Sequence, residues 1–206
     1  MTDNLDSDAQ PPTKPNRVLA IALAIVAAGS LGYAAFSHRW LVNGNRVEEF
    51  GFGLRDNYSC QSIDSVHDCV TDSNSHYVQV SKDEGGRAAE LASSAFGPCG
   101  WATFIECLLA MLGLAAAAGL AIANKKLVLP MSPSTLALLA LMAALITGCV
   151  FVAQKPGEAG YVGVGPSFWV FGAGAVLGIA GAQLLAKVNR PEDIDLMDDA
   201  MNPDEF

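Results

Sequence analysis

Four stretches of this chain carry almost no charge, and each is long enough to cross a bilayer. They are residues 17–37, 101–123, 134–153 and 167–187, and Glu106 is the one carboxylate inside any of them. About twenty apolar residues are needed to span a ~30 Å hydrocarbon core. Over the whole chain 51% of residues are hydrophobic and 16% charged, against roughly 25% charged in an ordinary soluble domain. The clustering decides more than the average does, because the charges crowd between and beyond the four stretches. Backbone groups in lipid must be satisfied internally, so the stretches are helices. The fold expected is an all-α membrane protein, a four-helix transmembrane bundle whose partner is the lipid bilayer.

The first stretch has small residues at Ala34 and Ala35 that loosely suit a signal peptidase. Its flank nevertheless carries Asp3, Asp6 and Asp8, and its apolar core exceeds that of a signal peptide. An uncleaved anchor is expected. Lys and Arg near span ends stay cytoplasmic. Lys14 and Arg17 precede the first span, Lys125 and Lys126 lie between the second and third, and Lys187 and Arg190 follow the fourth. Those segments share one side. The chain then divides into a cytoplasmic tail (1–16), an outer segment (38–100), a cytoplasmic loop (124–133), a short outer loop (154–166) and an acidic cytoplasmic tail (188–206). A plasma or inner membrane with both termini cytoplasmic is expected.

The 38–100 segment is the one stretch outside the spans large enough for a folded unit. Residues 41–47 and 50–54 are rich in strand formers broken by Asn43, Gly44, Gly51 and Gly53, and Tyr77, Val78 and Val80 open another strand-like run. A small extracytoplasmic antiparallel sheet follows. Residues 87–96 favour a short helix leading to the second span, with Pro98 and Gly100 as a break. Cys60 and Cys69 fall in this segment, where an oxidising compartment allows a disulfide. They are close in sequence, and the expectation is that they pair across neighbouring strands and leave Cys99 out. Cys107 and Cys149 lie inside spans and are read as packing residues.

One order of residues in this segment is informative: Trp40 just past the first span, then Gly53-Leu54, then Cys60 and Cys69, then Arg87-Ala88-Ala89 before the second span. This resembles the claudin and peripheral-myelin-protein tetraspan group. Arg55 stands where that family carries a second tryptophan. The resemblance implies a claudin-like bundle whose outer sheet mediates lateral or cell-to-cell contacts with other membrane proteins or copies of the chain.

Glu106 carries the alternative. Intramembrane carboxylates are functional hypotheses by default, and Glu106 lies roughly 8 Å below the outer boundary at 1.5 Å per residue. It could serve ion or proton handling in a small transporter or channel-like protein, or bond to Tyr33 or Thr147 as a structural group. Gly174 and Gly178 in the last span form a spacing that lets helix backbones approach closely.

Other features exclude more than they offer. The segment after Arg190 holds seven carboxylates and no base, which argues against nucleic acid and against anionic lipid. Its Asp204-Glu205-Phe206 end offers a hydrophobic C-terminal carboxylate to a cytoplasmic partner. Asn57-Tyr58-Ser59 is a glycosylation acceptor pattern. His67 and His76 with Asp64, Asp68 and Asp72 read as a solvated polar loop, with no metal and no cofactor expected. Phosphate-cradling loops, helical two-histidine motifs and closely spaced cysteine pairs are missing from the sequence, so an enzyme is not expected.

Overall fold

The computed structural model describes residues 16–43, 48–63, 66–83, 85, 93–125, 131–156 and 162–188. Within them lie five helices: α1 (Arg17–Phe36), α2 (Asn74–Asp83), α3 (Phe96–Ala123), α4 (Pro133–Ala153) and α5 (Pro166–Val188). Five strands accompany them: β1 (Leu41–Val42), β2 (Glu48–Phe52), β3 (Asp56–Ile63), β4 (Val66–Ser73) and β5 (Gly163–Val164). Helices α1, α3, α4 and α5 are each long and apolar enough to cross a membrane. Around the bundle α1 touches α3 and α5, and α4 touches the same two from the other side.

Small residues let these helices meet. Helix α1 buries Ala20, Ala24, Ala27, Leu31 and Ala34 on one face, the i, i+4, i+7 spacing of a helix stripe. Facing it, a Cβ added at Gly174 would lie 2.8 Å from Ser30 Cβ, and one at Gly181 would lie 3.0 Å from the Ala24 nitrogen. A Cβ at Gly178 would stand 3.0 Å from Leu141 Cδ1, so this residue meets α4 as well. The glycine face of α5 therefore packs within the chain, where van der Waals contact rather than water expulsion holds helices together. Side chains that point away, such as Ile25, Leu112, Ile146 and Val176, are exposed and apolar.

Helix ends follow ordinary capping. Asn16 accepts from the Leu19 amide, and Ser132 accepts from the Thr135 amide ahead of Pro133. At the α3 C-terminus Asn124 adopts φ 52°, and the Arg17 guanidinium donates to the Ala121 and Ile122 carbonyls. A cation there also complements the helix dipole.

The sheet is antiparallel throughout, in the order β4-β3-β2-β1-β5, and stands over one end of the bundle. Strand β5 lies between α4 and α5, so the expected short outer loop contributes a strand, Gly163–Val164, to the sheet. Strands β3 and β4, paired from Asp56↔Ser73 to Ile63↔Val66, are rich in Asp and Ser and carry little strand signature of their own. Cys60 faces Cys69 in that register, and the two form a disulfide.

Three local expectations are corrected. Tyr77–Val80 is helix α2, not strand, because the Ser73 hydroxyl accepts from the His76 amide at 3.1 Å as an N-cap. Asn74, Tyr77 and Val78 then share the face turned to the sheet, where Tyr77 meets Phe50 and Phe52. Pro98 and Gly100 do not break the chain, since α3 starts at Phe96 and runs through both. Pro98 is in the first turn, whose N–H groups have no intrahelical acceptor to lose. Cys149 is exposed rather than packed, whereas Cys107 is buried. The helix expected over 87–96, apart from its last residues, falls outside the described residues, as do Arg87 and 189–206.

Candidate functional site

What distinguishes this molecule is the mount between sheet and bundle. Trp40 is fully buried there, and its indole N–H donates to the Ala34 carbonyl at 2.6 Å. Its ring lies 5.0 Å from Phe171 and 6.0 Å from Phe151, centroid to centroid. A second run of rings joins Phe50 to Phe52, Phe52 to Phe96, and Phe96 to Phe151 at 4.5 to 5.2 Å. Aromatic pairs at these distances each add roughly 0.5–1.5 kcal/mol beyond area burial. Strand residues, α3, α4 and α5 thus share one continuous aromatic core.

Backbone contacts tighten the mount. The Gly53 amide donates to the Asp56 carbonyl at 2.7 Å, closing the turn between β2 and β3. Leu54, next along, is 1% exposed, and its carbonyl sits where a Cβ on Gly100 would be, 2.0 Å away. On the opposite side, a Cβ on Gly165 would come within 2.1 Å of the Arg39 carbonyl. Trp40, Gly53 and Leu54 therefore converge on the junction.

Arg55 continues the same turn. Its guanidinium carbon lies 4.6 Å from the Phe104 ring centroid, 5.7 Å from Phe36 and 5.9 Å from Trp101. Nothing in the local sequence signals this, because the three rings come from α1 and α3.

Beside α1, a cleft of about 440 Å³ opens beneath the sheet, lined by Tyr33, Phe36, His38, Arg39, Glu49 and Tyr58 among others. Arg39 meets Glu49 at 2.6 Å, and the Tyr58 hydroxyl donates to the same carboxylate at 3.1 Å. The Glu49 hydrogen bond holds the Arg39 guanidinium above its ordinary pKa. Burial, ahead of the Glu49 hydrogen bond, raises that of Tyr58. Farther along, the Asp72 carboxyl is held below the usual range by its hydrogen bond to His76.

Within the bundle, Glu106 meets Thr147 rather than Tyr33. The Thr147 hydroxyl donates to Glu106 Oε2 at 2.5 Å, and the buried Thr103 hydroxyl lies 2.9 Å from the Thr147 oxygen. The trio links α3 to α4. Asn57, the glycosylation candidate, is 6% exposed with its amide donating to the Ser73 carbonyl, so the folded strand does not present it. Among the described residues no group of three or more His, Cys, Asp or Glu is placed to hold a metal. Compared with known proteins, the chain matches no family model and no curated protein.

Proposed function

We propose that this is a claudin-like structural or accessory tetraspan, with its sheet extracytoplasmic and its termini cytoplasmic, that makes lateral or cell-surface protein contacts through the sheet. The observation that carries this reading is the rigid mount: a disulfide-latched sheet, fixed to the bundle by a shared aromatic core, presents an exposed strand edge. Strand β4 pairs with β3 on one side alone, and Val70 on it is 64% exposed. Rigid placement matters for recognition because a surface ordered beforehand loses less entropy on binding.

The topology is tested by cysteines introduced one at a time into an otherwise cysteine-blocked protein. Ser81→Cys is expected to react with an impermeant maleimide added outside, and Ser132→Cys only after permeabilisation. The reverse pattern would invert the protein and remove the proposal.

A photoreactive residue at position 70 is expected to give discrete protein adducts in intact cells, while one at lipid-facing position 25 does not. The second reading, a transporter or channel using Glu106, draws on the Thr103–Thr147–Glu106 chain. Glu106→Gln keeps an acceptor oxygen for Thr147, so under the interaction reading it leaves position-70 adducts and thermal stability unchanged. Lost solute flux with adducts intact would favour the transport reading instead.

A further inference from the structure

We propose that Arg55 and the notch beside it hold the headgroup of an aminophospholipid at the bilayer boundary, with the phosphodiester on the guanidinium and the primary ammonium towards Asp56 and Asp72. This goes beyond the protein-contact role and requires only that the four apolar helices span a membrane.

Arg55 leaves its hydrogen-bond donors unused among the described residues. A guanidinium has five N–H donors in a fixed fork. Stacking over Phe36, Trp101 and Phe104 engages its charge but none of those donors. Among the described residues its one polar contact is Asp56 Oδ2 at 3.9 Å, beyond hydrogen-bond reach. The side chain is 33% exposed, so the fork is open to an acceptor from outside the chain.

Depth says which acceptor is there. Phe36 is the last residue of α1 and Trp101 lies near the start of α3. Phe36, Trp101, Tyr33 and Trp169 are all substantially exposed at this end of the bundle. Exposed Trp and Tyr gather at the membrane–water boundary, which puts Arg55 at the level of lipid phosphates. Guanidinium and phosphate suit each other because two parallel N–H···O bonds can form at once.

Charge then selects the headgroup. The notch, about 350 Å³, is lined by Arg55, Asp56, Thr71, Asp72, Ser73 and Trp101. Two carboxylates stand beside one guanidinium, Asp56 with its Oδ1 on His38 and Asp72 with its Oδ2 on His76 and its Oδ1 accepting from the Ser73 amide. Each keeps further lone pairs for an ammonium. A headgroup carrying only negative charge meets net repulsion, whereas a zwitterionic one matches both signs. A primary ammonium donates charge-assisted hydrogen bonds to carboxylates that a quaternary choline cannot. Ethanolamine is therefore favoured over glycerol, serine and choline.

Native mass spectrometry of the full chain, titrated in micelles with dioleoyl phosphatidylethanolamine, phosphatidylcholine or phosphatidylglycerol, tests this. One phosphatidylethanolamine is expected to be retained about tenfold more tightly than either other lipid. Arg55→Gln is expected to weaken it about tenfold, and Asp72→Asn to abolish the preference over phosphatidylcholine. Should Arg55→Gln fail to fold, Arg55→Lys keeps a cation over the rings without the two-pronged donor and is expected to weaken binding too. Equal retention of the three lipids, or wild-type retention by the folded Arg55 variant, overturns the proposal. Displacement of the lipid by millimolar inorganic phosphate also overturns it, since the site would then recognise free phosphate.

Discussion

Gly100→Ala is expected to destabilise the protein by about 3 kcal/mol, the upper end of what overpacking costs. The added carbon would stand 2.0 Å from the Leu54 carbonyl oxygen and 3.1 Å from Phe151 Cε2. Neither partner can yield cheaply. The Leu54 carbonyl belongs to a turn held by Gly53 N–H to the Asp56 carbonyl, and by the Asn74 amide and side chain to Arg55 and Gly53 carbonyls. On the helix side, Phe96 and Phe104 are buried on either flank of Gly100. Relief requires parting sheet from bundle, which opens the aromatic core around Trp40.

Thermal unfolding in detergent, followed by tryptophan fluorescence, reads the effect. Gly29→Ala serves as the reference, because a Cβ there meets nothing within 4 Å. A Gly100→Ala protein melting together with the Gly29→Ala protein would mean that the sheet is not seated on α3.

Gly100 also marks where sequence reasoning stops. The four spans are legible because lipid imposes a rule on every residue: charge is excluded, and α1, α4 and α5 end within about one residue of the expected limits. Outside the spans, each residue answers to neighbours distant in the chain. Gly100 reads as a helix breaker on its own, yet it is kept small by a carbonyl from the β2–β3 turn. Tyr77 and Val78 favour strands intrinsically, but the Ser73 cap and the rings of Phe50 and Phe52 outweigh that preference. Strand β5 is two residues long and exists only through its pairing with Leu41 and Val42. Arg55 carries no local signal either, because the three rings around it come from two helices. Trp40, Gly53 and Leu54, by contrast, are singled out in the sequence only through the tetraspan resemblance, and their order along the chain does not show that they meet at the junction.

Removing the Cys60–Cys69 disulfide is the second large perturbation expected. Closing a loop of this size stabilises by roughly 2–3 kcal/mol in the chain-entropy account. That contribution falls on the part of the sheet with the least other support. Strand β4 is an edge strand, pairs with β3 alone among the strands, and contains Asp68 and Asp72 in place of strand formers. Its Cys69 is exposed while Cys60 is buried, so the crosslink ties the solvent edge to the interior. The paired variant Cys60→Ala/Cys69→Ala is therefore expected to keep its helical content, held by the bundle, and to lose protection at β4. Hydrogen exchange should rise in residues 66–73 by the factor that 2–3 kcal/mol implies, about thirty- to a hundred-and-fiftyfold, with little change in α3 and α5. Non-reduced peptide mapping of the wild-type chain checks the premise, since neither cysteine should accept an alkylating reagent before reduction. Cys60 found alkylated, or joined to Cys99, would remove the latch; unchanged exchange at β4 in the variant would show that strand pairing alone holds the edge.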